Sequence, residues 1–229
     1  MQPALVAILL AVLAAATVVF AVTGILHRRR VGILSRVANR CGLRFSSDDP
    51  FDVPRSYADF VPVACGHSAR ARNVTYGRWH GLPIRSFDFR YEAGHGTQRL
   101  TRNFVVVVVQ LEHAVPPVLM WNTLDAMCPP LEAVRCVDKI SVWMCRGDEA
   151  MVRNLAQVLA PLERQAVCLQ TRADQVMLWM PSGRIGRLHA PAMECAEAAA
   201  RMLTAPPETQ DDVKWNGKGK SPPDLTAYA

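Results

Sequence analysis

The chain has 229 residues, a net charge of +6 and hydrophobic residues at 50 %. The positive charge gathers beside an apolar run instead of interleaving with aromatics along a stripe, which argues against nucleic-acid binding. Seven cysteines lie scattered without a C-x-x-C pair; that odd, dispersed set argues against a disulfide framework and fits reduced thiols in the cytosol.

Ala4 to Leu26 (ALVAILLAVLAAATVVFAVTGIL) carries no charge and is followed at once by His27-Arg28-Arg29-Arg30. A helix over this run would be about 34 Å long, enough to cross a bilayer core. Thr17 and Thr23 can return their hydroxyl bonds to the helix backbone. A cleaved secretory leader would need a basic start and a shorter apolar run; Met1-Gln2-Pro3 has no basic residue. The run therefore reads as an uncleaved anchor, residues 1–27, with a secreted domain freed by cleavage as the alternative. Arg28, Arg29, Arg30, Arg36, Arg40 and Arg44 lie on the carboxyl side. The side richer in Arg and Lys stays cytoplasmic. The expectation is a single-pass protein of the inner or plasma membrane, amino terminus outside, with residues 28–205 as a cytosolic domain. Arg28, Arg29 and Arg30 would meet lipid head groups, each gaining about 1 kcal/mol near anionic lipid.

Residues 28–41 read as a helix with Val31, Leu34, Ala38 and Cys41 on one face, and Gly42 fits just past its last turn. Residues 46–68, with Pro50, Pro54 and Pro62, read as irregular. Arg72 to Trp79 and Leu82 to Tyr91 alternate around His80-Gly81, predicting a β-hairpin. Gly94-His95-Gly96 predicts a second turn. Arg99 to Leu111 holds five consecutive valines; apolar on both faces, it predicts a central strand. Val118–Trp121 and Val137–Cys145 read as further strands, and residues 122–134 give no clear pattern. Asp148 is placed to cap a helix carrying Met151, Val152, Leu155, Val158, Leu159 and Leu162, ended by Pro161. Ala166–Leu169 and Gln175–Met180 predict another hairpin, and a last helix begins at Pro191. The tail from Pro206 is polar and rich in Pro and Gly, and residues 206–229 are expected to be disordered. The predicted fold class is α+β: an N-terminal transmembrane helix, then one domain with a mostly antiparallel sheet of five to seven strands packed on two or three helices.

Candidate chemistry is sparse. Cys65-Gly66-His67 could pair a thiol with an imidazole, giving a thiol- or metal-dependent hydrolase as an alternative function. A loop cysteine beside an exposed histidine is the ordinary reading. Zinc sites present ligands in close pairs, which neither Cys65 with His67 nor Cys136 with Cys145 reproduces, so no metal and no cofactor are expected. Gly217-Lys218-Gly219-Lys220-Ser221 lacks the upstream glycine of a P-loop, since Lys214 stands there. Asn73-Val74-Thr75 would be glycosylated only outside the cytosol. Asp88 and Glu92 read as a solvated pair on a strand. Trp79, Trp121, Trp143 and Trp179 read as packing residues.

The order of a single span, an Arg-rich start, Cys41-Gly42-Leu43-Arg44-Phe45, Asp49-Pro50-Phe51, Gly66-His67-Ser68 with Arg70 to Asn73, and Gly81-Leu82-Pro83-Ile84-Arg85-Ser86-Phe87-Asp88-Phe89-Arg90-Tyr91-Glu92 resembles a group of bacterial single-pass membrane-anchored proteins of unknown function, common in high-GC actinobacteria. The likeness covers residues 25–112 best. In that group the turn after the tyrosine strand often carries a Lys and more Arg; here it reads Gly94-His95-Gly96-Thr97-Gln98-Arg99. The resemblance implies topology and fold and supplies no catalytic residue. Together these readings describe a non-enzymatic, membrane-tethered domain whose partners are membrane lipids or a membrane protein.

Overall fold

The computed structural model of the chain describes residues 2–94, 96, 99–125, 138–182 and 189–205. One helix, α1, runs unbroken from Gln2 to Arg40. No proline follows Pro3 inside it, so the hydrogen-bond ladder continues through the arginine cluster, and the apolar run and the Arg-rich segment after it form one rod. Its first part has no protein cover: Leu5 to Ile25 are exposed, with Phe20 at 81 %. By length and composition this helix could cross a membrane. Further on, the same helix enters the domain, where Leu34 and Ala38 are buried. It ends in a Schellman motif around Gly42 (φ 68°): Leu43 N–H donates to Ala38 O at 2.8 Å and Gly42 N–H to Asn39 O at 3.1 Å. Only glycine takes that left-handed position without strain.

Among the described residues nine strands form one antiparallel sheet: β1 Arg44–Ser46, β2 His67–Trp79, β3 Leu82–Ala93, β4 Leu100–Gln110, β5 Leu119–Asn122, β6 Asp138–Ile140, β7 Trp143–Arg146, β8 Cys168–Arg172 and β9 Gln175–Pro181. Their spatial order is β1-β2-β3-β4-β9-β8-β5-β7-β6. The expectation of five to seven strands falls short because β1 adds an edge and the predicted strand over 137–145 folds on itself. Ser141 takes φ 52° and Ile140 pairs with Trp143, so an apolar stretch that reads as one strand is a tight hairpin.

The valine run is β4, paired with β3 and β9. Val105, Val107 and Val109 join a cluster with α4 (Glu149–Leu159) and α5 (His189–Thr204), including Leu155, Leu159 and Ala196. Val106, Val108 and Phe104 join a second cluster on the other face, with Tyr57, Phe60, Phe87 and Trp179. Successive side chains of a strand point to opposite faces, so an unbroken apolar run requires both faces to be covered. That second cover comes from the stretch expected to be irregular. It holds two short helices, α2 (Val53–Ser56) and α3 (Val61–Ala64), each with a proline in its first turn. Pro54 and Pro62 start helices here, a position where the missing N–H costs nothing. Asp148 caps α4 through Met151 N–H at 2.9 Å, and α5 begins at His189, ahead of Pro191. The residues expected to form a disordered tail, together with His95, Cys128, Cys136 and residues 217–221, lie outside the described residues.

Candidate functional site

The register of β2 on β3 sets Arg72 opposite Asp88 and Arg70 opposite Arg90. Past Arg72 the pairing slips, and Asn73 takes φ 53°, a left-handed conformation that Asn tolerates better than most residues. This bulge holds the Asn73 amide inside: the residue is 4 % exposed, and its Nδ2 donates to Asp88 Oδ2 at 2.7 Å. From α1, Arg30 Nη2 donates to Asp88 Oδ1 at 2.6 Å. From α5, His189 Nε2 stands 3.3 Å from the same oxygen, while its Nδ1 is 2.7 Å from Ser86 Oγ. One carboxylate thus ties together α1, β2, β3 and α5. Burial by itself pushes the Asp88 carboxyl up, but the hydrogen bonds from His189 and Asn73 and the charges of His189 and Arg30 outweigh it and hold it below its ordinary value.

Ser86, His189 and Asp88 stand in the order hydroxyl, imidazole, carboxylate. Ser86 has 0 % exposed surface, and the three side chains act as a joint between α5 and the sheet.

Beside this joint lies a groove of about 720 Å³. Among the described residues five arginines line it, Arg30, Arg70, Arg72, Arg90 and Arg99, against the carboxylates Asp88 and Glu92. Ser68, Asn103 and Ser182 complete the polar lining, while the buried side chains of Phe89 and Phe104 belong to the cluster on the opposite face of the sheet. Glu92 is held by Arg99, by Arg90 Nη2 at 3.5 Å and by His67 Nδ1 at 3.9 Å. Among the described residues Arg70 and Arg72 make no ion pair, and both are exposed. The groove therefore holds a surplus of positive charge, an arrangement that attracts anions.

Arg28 and Arg29 are exposed on α1, while Arg30 turns into the groove wall. Cys65 caps the end of α3. His67 opens β2, with Nδ1 3.3 Å from Ser68 Oγ and Nε2 3.0 Å from Gly94 O. Asp88 and Glu92 do share a face, but their side chains are only 17 % and 11 % exposed and both are ion-paired, so the reading of solvated strand charges gives way to largely covered anchors. The Asn73 amide is engaged inside the protein. Among the described residues no three of His, Cys, Asp and Glu converge as metal ligands. Sequence reasoning missed the arginines of β2 and β3. The signal was present: Arg70-x-Arg72 and Asp88-x-Arg90-x-Glu92 have the period of two that puts side chains on one strand face.

The fold and groove define a class: an α+β domain hung from an apolar helix, with a cationic cleft where that helix enters the domain. No protein-family model matches the chain, and no curated protein matches its sequence. Among solved structures the chain is similar to the crystal structure of the mycobacterial trehalose monomycolate transport factor A, TtfA, with a TM-score of 0.55. The match covers 80 % of this chain and 98 % of that one at 13 % identity. At that identity what is shared is the fold. The neighbour is actinobacterial, as is the group that the sequence resembles.

Proposed function

We propose that this chain is a membrane-tethered cytosolic module whose arginine-lined groove engages the lipid surface in support of lipid handling by other membrane components. One observation carries this reading. Arg30 belongs both to the groove wall and to the helix that carries the apolar run, four residues past Leu26, or about 6 Å of helix rise. The direction also fits. Arg30 meets Asp88, and Leu43, beyond the other end of α1, lies against Gly77, the partner of Ile84. Travelling along α1 toward the apolar run therefore follows β3 from Ile84 toward Glu92, and the Arg90–Glu92–Arg99 end of the groove faces the bilayer. The basic flank supports a cytosolic position for that face. Tethering raises the effective concentration of the domain for anything else at the membrane. The similar protein is named as a transport factor for trehalose monomycolate, which supports a lipid-linked role here.

The test is photo-crosslinking of the full chain in vesicles that carry a phospholipid with a photoreactive head group, followed by peptide mapping. Adducts on the segments around Arg70, Arg90 and Arg99 are expected. Adducts confined to the apolar part of α1, or a carboxyl-terminal reporter active only outside the cytosol, would refute the proposal.

A further inference from the structure

Resting on that reading, the geometry points to a specific occupant of the groove: a phosphate ester whose alcohol part carries free hydroxyls, as in a glycerol or inositol phospholipid head group. Two independent features select it. The first is charge. Arg70 stands directly across from Arg90, and like charges so opposed destabilise a sheet. Arg90 has Glu92 at 3.5 Å, whereas Arg70 has no carboxylate partner among the described residues. A phosphate between the two guanidinium groups relieves the opposition, since planar guanidinium forks match phosphate oxygens.

The second feature is a pair of unmet hydrogen-bonding groups in the groove wall. Among the described residues, Asn73 Oδ1, on a residue only 4 % exposed, is a buried acceptor with no donor, and Arg30 Nε is a buried donor with no acceptor. Both residues line the groove. Leaving such groups unpaired is costly. A hydroxyl donates and accepts at once, so polyol hydroxyls satisfy both groups, while a carboxylate has no proton for Asn73 Oδ1. The groove volume of about 720 Å³ lies in the range of small-ligand sites.

The experiment titrates the full chain, held in phosphatidylcholine nanodiscs, with water-soluble short-chain phosphatidylglycerol by calorimetry. Two further probes separate the contributions: the same lipid with its hydroxyls methylated, and glycerol 3-phosphate. Phosphatidylglycerol is expected to bind at least about fivefold more tightly than the methylated form, the scale of one lost hydrogen bond in a desolvated site. The double variant Arg70→Ala with Arg72→Ala, both surface positions, is expected to weaken every anion by about tenfold or more. Glycerol 3-phosphate binding as tightly as the lipid would support the hydroxylated phosphate ester while assigning it to a soluble source. Equal affinity for the methylated lipid overturns the hydroxyl assignment, and unchanged binding by the double variant overturns the site. The methylated probe leaves the protein untouched, so no folding defect can mimic its effect. Photo-crosslinks that persist while these preferences fail would leave the membrane-surface role standing and remove this ligand alone.

Discussion

Replacing Asp88 with Asn would test the joint that fixes α1 to the domain. The carboxylate receives Arg30 at 2.6 Å, Asn73 at 2.7 Å and His189 at 3.3 Å. A hydrogen bond to a charged group contributes about 1.5–3 kcal/mol. The Asp88 and Arg30 side chains keep 17 % and 27 % exposure, so water offsets part of that, and Asp88→Asn should cost about 2–3 kcal/mol at neutral pH. Urea unfolding of the full chain in detergent, followed by the fluorescence of buried Trp121, Trp143 and Trp179, reads this loss. Asp88 titrates below its ordinary value when folded, so its contribution is complete above the unfolded value of about 3.9 and disappears as pH falls through the folded one. Wild type and variant should therefore converge in acid. Arg30→Gln removes the same pair, so the double variant should lose less than the two single losses added together. A cost below about 0.5 kcal/mol, the scale of ordinary surface substitutions, or a gap that persists in acid, would refute this account.

Four other outcomes are expected. Leu34→Ala, at a position 2 % exposed, should cost about 2–4 kcal/mol in the same unfolding experiment, because α1 owes its fixed attachment to this packing as well as to Asp88. Gly66→Ala would set a methyl 2.2 Å from Tyr91 Cδ2 and 2.7 Å from Glu92 O; backbone has to move, and a loss of about 2 kcal/mol or more should appear as a lower urea midpoint. Arg102 grips Asp125 at 2.6 and 2.7 Å, with the side chains 8 % and 4 % exposed. Asp125→Asn alone should cost about 3–5 kcal/mol, while replacing both partners with leucine should cost far less. Burial pushes the Cys195 thiol up to about 12 and raises Cys168 as well, so iodoacetamide should label neither near neutral pH until urea unfolds the chain, as peptide mass mapping would show.

Strand positions were legible wherever one local rule acted alone. The valine run declared a doubly covered strand, the hairpins announced themselves by alternation around His80-Gly81 and Arg172-Ala173-Asp174, and Asp148 marked a helix start. Predictions failed where two rules competed. Prolines between residues 46 and 68 signal breaks in regular structure, although the same fixed φ suits a helix's first turn. The apolar period over 137–145 continued unchanged through a two-residue turn, hiding a hairpin. The groove was hidden for a different reason. Its arginines come from α1, β2, β3 and the stretch entering β4, and each segment read alone resembles an ordinary solvated face.

By itself the sequence determined the apolar rod, the α+β class and the central strand, because uncovered hydrocarbon and side-chain periodicity are properties of neighbouring residues along the chain. Only the tertiary structure decided that Arg30 faces Asp88, that Arg70 faces Arg90 and that Asn73 turns inward. Those meetings depend on strand register, one bulge and the angle at which α1 meets the sheet, and electrostatic coupling between groups far apart in sequence exists only once the fold has brought them within a few ångströms.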